Sequence, residues 1–175
     1  GNPIVTLNST VSPGSVIFND STYSYTVSGS GSIAGAGSLT KSGTNLVTLT
    51  TANSYSGSTT ISAGTLQLGN GTTGHDGTIA NSLNVTNNGV LVYNRFGSNA
   101  YGGVIRGSGQ VTKSGAGTQS LSGANTYTGT TTISAGKLAL TGTGSIANSG
   151  KIFVGSGAVF DVSAISGFSI GAAQT

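Results

Sequence analysis

Few side chains in this 175-residue sequence could carry acid–base or nucleophilic chemistry: one His, three Asp, no Glu, no Cys and six Lys or Arg. Catalysis needs titratable groups that converge. His75 and Asp76 are adjacent and, with one of the many Ser, could make a Ser-His-Asp arrangement. Neighbours on an extended chain point to opposite sides, however, so the pair reads as a solvated loop dipeptide. Two carboxylates for glycosidic cleavage would have to come from Asp20, Asp76 and Asp161. Calcium prefers several carboxylates together, and no Asp-containing nonapeptide repeat is present. Gly107-Ser108-Gly109 and Gly115-Ala116-Gly117 lack both the Lys-Ser/Thr ending and the following helix of a phosphate loop. The sequence therefore predicts a non-enzymatic protein with no cofactor and no metal, and a polysaccharide-active enzyme is its weakest alternative.

Two features could instead make contacts. Tyr93, Arg95, Phe96, Tyr101 and Arg106 concentrate aromatic and cationic side chains. One reading is a strand followed by a loop, with Tyr93 partly buried. The other is a contact patch for a second protomer or a glycan, since Tyr and Arg are enriched at interfaces. Near the start, Ile4, Val5, Thr6 and Leu7 form an apolar strand that could complete a neighbour's sheet.

Charge is scarce. Charged residues make up 5% of the chain, against roughly 25% in an ordinary soluble domain, while Gly supplies 31 positions. Such a composition excludes a coiled coil and a long amphipathic helix. The net charge of +3 rests on Lys41, Arg95, Arg106, Lys113, Lys137 and Lys151, which lie far apart, so no nucleic-acid partner is expected. No stretch approaches the roughly 20 apolar residues of a membrane-spanning helix. Without Met or Cys, a chain starting at Gly1 reads as processed or excised from something longer, with no disulfide framework. Disorder is opposed by 35% hydrophobic residues gathered in short runs.

The elements that must position these residues repeat. Gly37 to Leu66 aligns without a gap to Gly109 to Leu138 at an offset of 72, with 17 of 30 positions identical. Gly77 to Ser82 then matches Gly144 to Ser149 at an offset of 67, so the first copy carries five extra residues around Asn70 to Gly74, beside His75 and Asp76. Within the copies, Leu66 and Leu68, Leu138 and Leu140, and Tyr23, Tyr25 and Val27 alternate at the period of a strand. Ser-Gly, Asn-Gly and Ala-Gly pairs punctuate the runs. A sandwich does not require such close internal similarity; a solenoid does, because each unit packs on the one before. The prediction is an all-β parallel β-helix (β-solenoid) of two tandem ~70-residue repeats, each about three rungs of two dozen residues. Its segments are 1–28, an N-terminal strand segment able to cap or to reach another subunit, 29–102, the first repeat, and 103–175, the second repeat and C-terminal end.

The strings LTKSG, ANTYTG and TTISAGTLQL resemble the autotransporter-associated β-strand repeat, or passenger-associated transport repeat. The resemblance covers Lys41, Gly43, Asn53, Tyr55, Gly57 and Gly64 in the first copy and Lys113, Gly115, Asn125, Tyr127, Gly129 and Gly136 in the second, with Val111 replacing the usual Leu. It implies a right-handed parallel β-helix outside a bacterium, and it brings no catalytic residues. Turn chemistry accounts for the Asn-x-Tyr-x-Gly element, with Asn at a rung corner, Tyr packed beside it and Gly turning the chain. Neither end carries a charged cap: Gly1 to Leu7 and Ala164 to Ala173 are nearly uncharged. Uncapped solenoid ends are expected to be covered, by the rest of a longer chain or by the next protomer. The leading expectation is an extracellular or cell-surface structural subunit that stacks head to tail into a filament. A stalk or passenger segment of an autotransporter-like adhesin stands close behind.

Overall fold

In the computed structural model, which describes residues 1–80, 84–171 and 174, the chain winds into an eight-turn stack of short parallel strands. Asn81 and Ser82, at the end of the matched string, and Ala172 and Ala173, in the apolar C-terminal run, lie outside the described residues. The first turn contributes β1 (Ile4–Thr6) and β2 (Ser15–Phe18), and the second β3 (Tyr25–Ser28) and β4 (Ser38–Lys41). β5 (Leu46–Leu49) and β6 (Thr59–Ile61) follow, then β7 (Thr65–Leu68) and β8 (Val85–Asn87). The fifth turn has three strands, β9 (Val90–Tyr93), β10 (Asn99–Tyr101) and β11 (Ile105–Arg106). The last three turns carry β12 (Gln110–Lys113) and β13 (Thr118–Leu121), β14 (Thr131–Ile133) and β15 (Lys137–Leu140), and β16 (Ile152–Val154) and β17 (Val159–Asp161).

Three sheets wrap the core. The longest runs the whole stack, β1-β3-β5-β7-β9-β12-β14-β16; a second, β2-β4-β6-β8-β11, occupies turns one to five; the third, β10-β13-β15-β17, occupies turns five to eight. Every pairing is parallel and joins consecutive turns. Where the second or third sheet is missing, isolated bridges hold that face: Val11 to Ile33 and Ala52 to Thr78 early, Ala124 to Ser145 late. At roughly 4.8 Å per parallel strand, eight turns make a rod about 38 Å long.

Strands of two to four residues survive because each lies between two others and its alternate side chains enter one core. Leu39, Leu49, Ile61, Leu66, Leu91, Ile133 and Leu138 are all fully buried there. The outward positions stack polar residues instead, as in the run Thr40, Thr60, Thr86.

The sequence repeat and the structural turn do not share a period. Leu39 pairs with Thr59, Thr59 with Val85 and Val85 with Ile105, which makes three turns in 66 residues. Val111, the counterpart of Leu39, comes six residues later and lies on the next sheet. Each copy thus spans three and one third turns, not three. Consequently β4 and β6 belong to the second sheet, whereas their counterparts β12 and β14 belong to the long one. Turn length along the long sheet also varies, from 19 residues (Val47 to Leu66) to 25 (Leu66 to Leu91), the longer turn containing the five-residue insertion. No helix among the described residues is long and apolar enough to cross a membrane.

Candidate functional site

The repeat-motif residues face inward. Lys41 and Lys113 are each 1% exposed, sharing a strand face with Leu39 and Val111 respectively. The Lys41 ammonium donates to the carbonyl of Gly43 and to that of Ala63 at 3.4 Å; Lys113 repeats this with Gly115 and Ala135, again 3.4 Å to the latter. Neither meets a carboxylate: the ion pair among the described residues joins Lys137 to Asp161 at 3.1 Å. Burial without a counter-charge lowers both amines, Lys113 to about 8. The motif glycines make room for this cage. Gly64 turns with φ +66°, and a Cβ there would stand 2.6 Å from the Lys41 nitrogen. A Cβ on Gly43 would come within 2.0 Å of the Asp20 carbonyl on the turn before. Gly57, Gly115, Gly129 and Gly136 meet backbone just as closely.

Asn53 and Asn125 stand where a sheet is interrupted, and each ties three turns together. Asn53 accepts from the Ile33 amide at 2.9 Å and donates to the carbonyls of Thr51 (3.1 Å) and Thr78 (3.0 Å). Asn125 accepts from Ile105 (2.9 Å) and donates to Gly123 (2.9 Å) and Ser145 (3.0 Å). These side chains replace the ladder that the face lacks, which is more than the corner role expected of them. Two residues on, Tyr55 and Tyr127 are buried with their hydroxyls 2.6 Å from Thr59 and Thr131. Burial raises both phenols, Tyr55 to about 12.

Of the two readings of the Tyr and Arg cluster, the surface contact patch does not assemble. Tyr93 and Tyr101 are 1% exposed, and Arg95 is 7% exposed, donating to the carbonyls of Asp76 and Gly77. Alternation decides this, for Tyr93 lies on the same strand face as Leu91. Only Phe96, 51% exposed, and Arg106, whose Nε donates to Thr86 Oγ1 at 3.1 Å, remain on the surface. Ile4, Val5 and Thr6 form β1 and pair within the chain with Thr26, Val27 and Ser28; Leu7 donates to the Ser28 carbonyl. That segment is the first turn of this solenoid rather than an arm reaching elsewhere, yet its outer edge is open.

The groups first considered for catalysis do not converge. Asp20 accepts from the amides of Thr22 and Tyr23 in a local turn, which lowers its carboxyl. Asp161 accepts from Ser163 and Lys137 in the eighth turn, and these bonds hold it at about 2. Asp76, in the fourth turn, accepts from the amides of Phe96 (2.7 Å) and Gly97 (2.8 Å). The ring of His75 meets Thr72 Oγ1 and the Thr73 carbonyl, not Asp76. No group of three or more His, Cys, Asp or Glu able to hold a metal exists among the described residues. The sequence reading missed the structural roles of Asp76 and of Thr59 and Thr131. The last were detectable, since Tyr-x-x-x-Thr occurs in both copies.

Known proteins carry the same motif. The passenger-associated-transport-repeat model matches residues 39–68 and 111–140, so the chain holds two such repeats. The adhesin BmaC autotransporter of Brucella suis biovar 1 (strain 1330) is 53% identical over 104 residues, which is 59% of this chain and 3% of that adhesin's length. No solved structure matches.

Proposed function

We propose that this chain, with its two passenger-associated transport repeats, is a length of the stalk of an autotransporter-type adhesin. It would be a non-enzymatic rod at the bacterial surface. The observation that carries this reading is the stack itself: inward motif residues bind one turn to the next, and among the described residues no group of three or more His, Cys, Asp or Glu able to hold a metal interrupts them. Similarity to an adhesin autotransporter supports it. The absence of Cys suits passage through a narrow pore as an extended chain that folds turn by turn outside.

Inserting the whole chain between a secretion signal and an outer-membrane translocator barrel in a Gram-negative host tests this. Display on intact cells, read by added protease and by antibody, is the expected result. Retention inside the envelope would overturn it.

Head-to-tail assembly into a filament is the second reading, and the open ends favour it. Ile4, Val5, Val11 and Ile17 are exposed on the first turn, and Phe153, Val154 and Val159 on the last. The outer edges of β1 and β16 have no strand beside them among the described residues. The match to a much longer adhesin favours flanking turns of the same chain as the cover.

A further inference from the structure

We propose that a groove running along the stack over turns two to four binds a neutral oligosaccharide. Its walls come from Gly29–Ser32 of the second turn, Thr50–Ala52 of the third, and Gly74 and Asp76 of the fourth. The cavity is about 390 Å³, within the roughly 300–1,000 Å³ range of small-molecule sites. The insertion creates the far wall, because Gly74 and Asp76 belong to the 25-residue turn that the second copy lacks.

The chemistry of the walls selects the ligand. Thr50 Oγ1 donates to the Val27 carbonyl at 3.0 Å, and Thr51 Oγ1 to Asn53 Oδ1 at 2.9 Å. Both threonines are buried, so the hydroxyls open to a ligand are those of Ser30, which donates to the Asn8 carbonyl at 3.5 Å, and Ser32, bonded to Thr10 Oγ1 at 3.1 Å. Asp76 adds a carboxylate, pinned by the Phe96 and Gly97 amides through one lone pair on each oxygen, which leaves others to accept. A carboxylate beside hydroxyls that are already bonded suits a ligand that brings several hydroxyl donors. A carboxylate at the wall repels anions, and the nearest cation, Arg95, is buried and turned to the carbonyls of Asp76 and Gly77. Neutral sugars fit that description, and acidic sugars do not. Phe96 lies outside the lining, but its amide holds the carboxylate and the residue is 51% exposed, which leaves an apolar ring at the fifth-turn margin for the C–H face of a pyranose. Two strand spacings of about 4.8 Å give a length near 10 Å, enough for about two sugar units.

Saturation-transfer NMR and calorimetric titration of the full chain with cellotriose, maltotriose and mannotriose test the site. At least one trisaccharide should bind with a millimolar or tighter Kd. Asp76→Asn should weaken that binding at least tenfold, and Phe96→Ala three- to tenfold, with thermal melts confirming that both variants fold. If Asp76→Asn unfolds the loop, Phe96→Ala and Ser32→Ala decide the question in the same titrations. No saturation transfer from any of the three sugars would overturn the proposal. So would binding that both variants leave unchanged, or calcium chloride alone titrating the Asp76 loop while the sugars do not. None of these outcomes bears on surface display, which depends on the stack and not on the groove.

Discussion

At the residue scale, the buried lysines set an unusual pH dependence. Lys113 titrates at about 8 in the folded chain, against an ordinary 10.5. Between those values the unfolded chain holds more protons than the folded one, so stability rises with pH across the window. The gain is at most about 3 kcal/mol, the shift converted at 1.36 kcal/mol per unit. Lys41 is displaced in the same direction. Buried tyrosines act oppositely. Tyr55, Tyr93, Tyr101 and Tyr127 are all raised, so the unfolded chain loses its phenolic protons first and stability falls above about 10. Urea midpoints taken from pH 7 to 11 should therefore peak near 10. Lys113→Met should flatten much of the rise and leave the fall; a wild-type curve that is flat from 7 to 10 would refute the assignment. Asn125→Ala gives a second prediction. It strands the buried Ile105 amide, while the Gly123 and Ser145 carbonyls keep the backbone amides of Ser145 and Asn125, and an unsatisfied buried group costs about 1–3 kcal/mol. Chemical denaturation should show about that loss, while Thr73→Ala, on an exposed loop, should show about 0.5 kcal/mol or less.

At the scale of elements, the strands were readable because alternation is a local property: Leu66 and Leu68, or Leu138 and Leu140, point inward just as their spacing requires. The same rule already placed Lys41 beside Leu39 and Tyr93 beside Leu91 on inward faces. Expectation from residue type, which keeps charge outside, masked what the period said. The one-third-turn offset between copies was not readable. It depends on where corners fall, and corners are set by backbone contacts between residues about 20 apart in sequence. Glycines show this best. Gly136 combines φ +64° with a would-be Cβ 2.4 Å from the Gly115 carbonyl, whereas Gly157, at φ +75°, has nothing within 4 Å. Left-handed backbone alone costs a side chain about 1–2 kcal/mol. Gly157→Ala should lose about that much in thermal or urea unfolding, and Gly136→Ala distinctly more, since a neighbouring turn must also move. Equal losses at the two positions would mean that close approach does not govern the corners.

For the whole molecule, the decisive fact is that an interior turn is covered on both sides and an end turn on one. Val5 continues the inward column of Val27 and Leu49 yet is 39% exposed, and Val154, below Ile133 in the same column, is 44% exposed. Solenoid stability is a sum of turns and the interfaces between them, so end turns should open first. Amides of β5, β7, β9 and β12 should exchange slowest, and those of β1 and β16 fastest. The open edges also make a definite prediction for the purified chain. Unpaired strand edges beside exposed apolar side chains favour stacking on another copy, so sedimentation should show mass increasing with concentration. Val5→Lys and Val154→Lys each place a charge at one open end of the column, where the side chain is already partly solvated. Either should return the chain to a monomer while changing the urea midpoint little. Stacking that persists in both variants would locate the association on a side face, and a wild-type monomer at all concentrations would remove head-to-tail assembly, leaving covalently continuous turns as the cover for both ends.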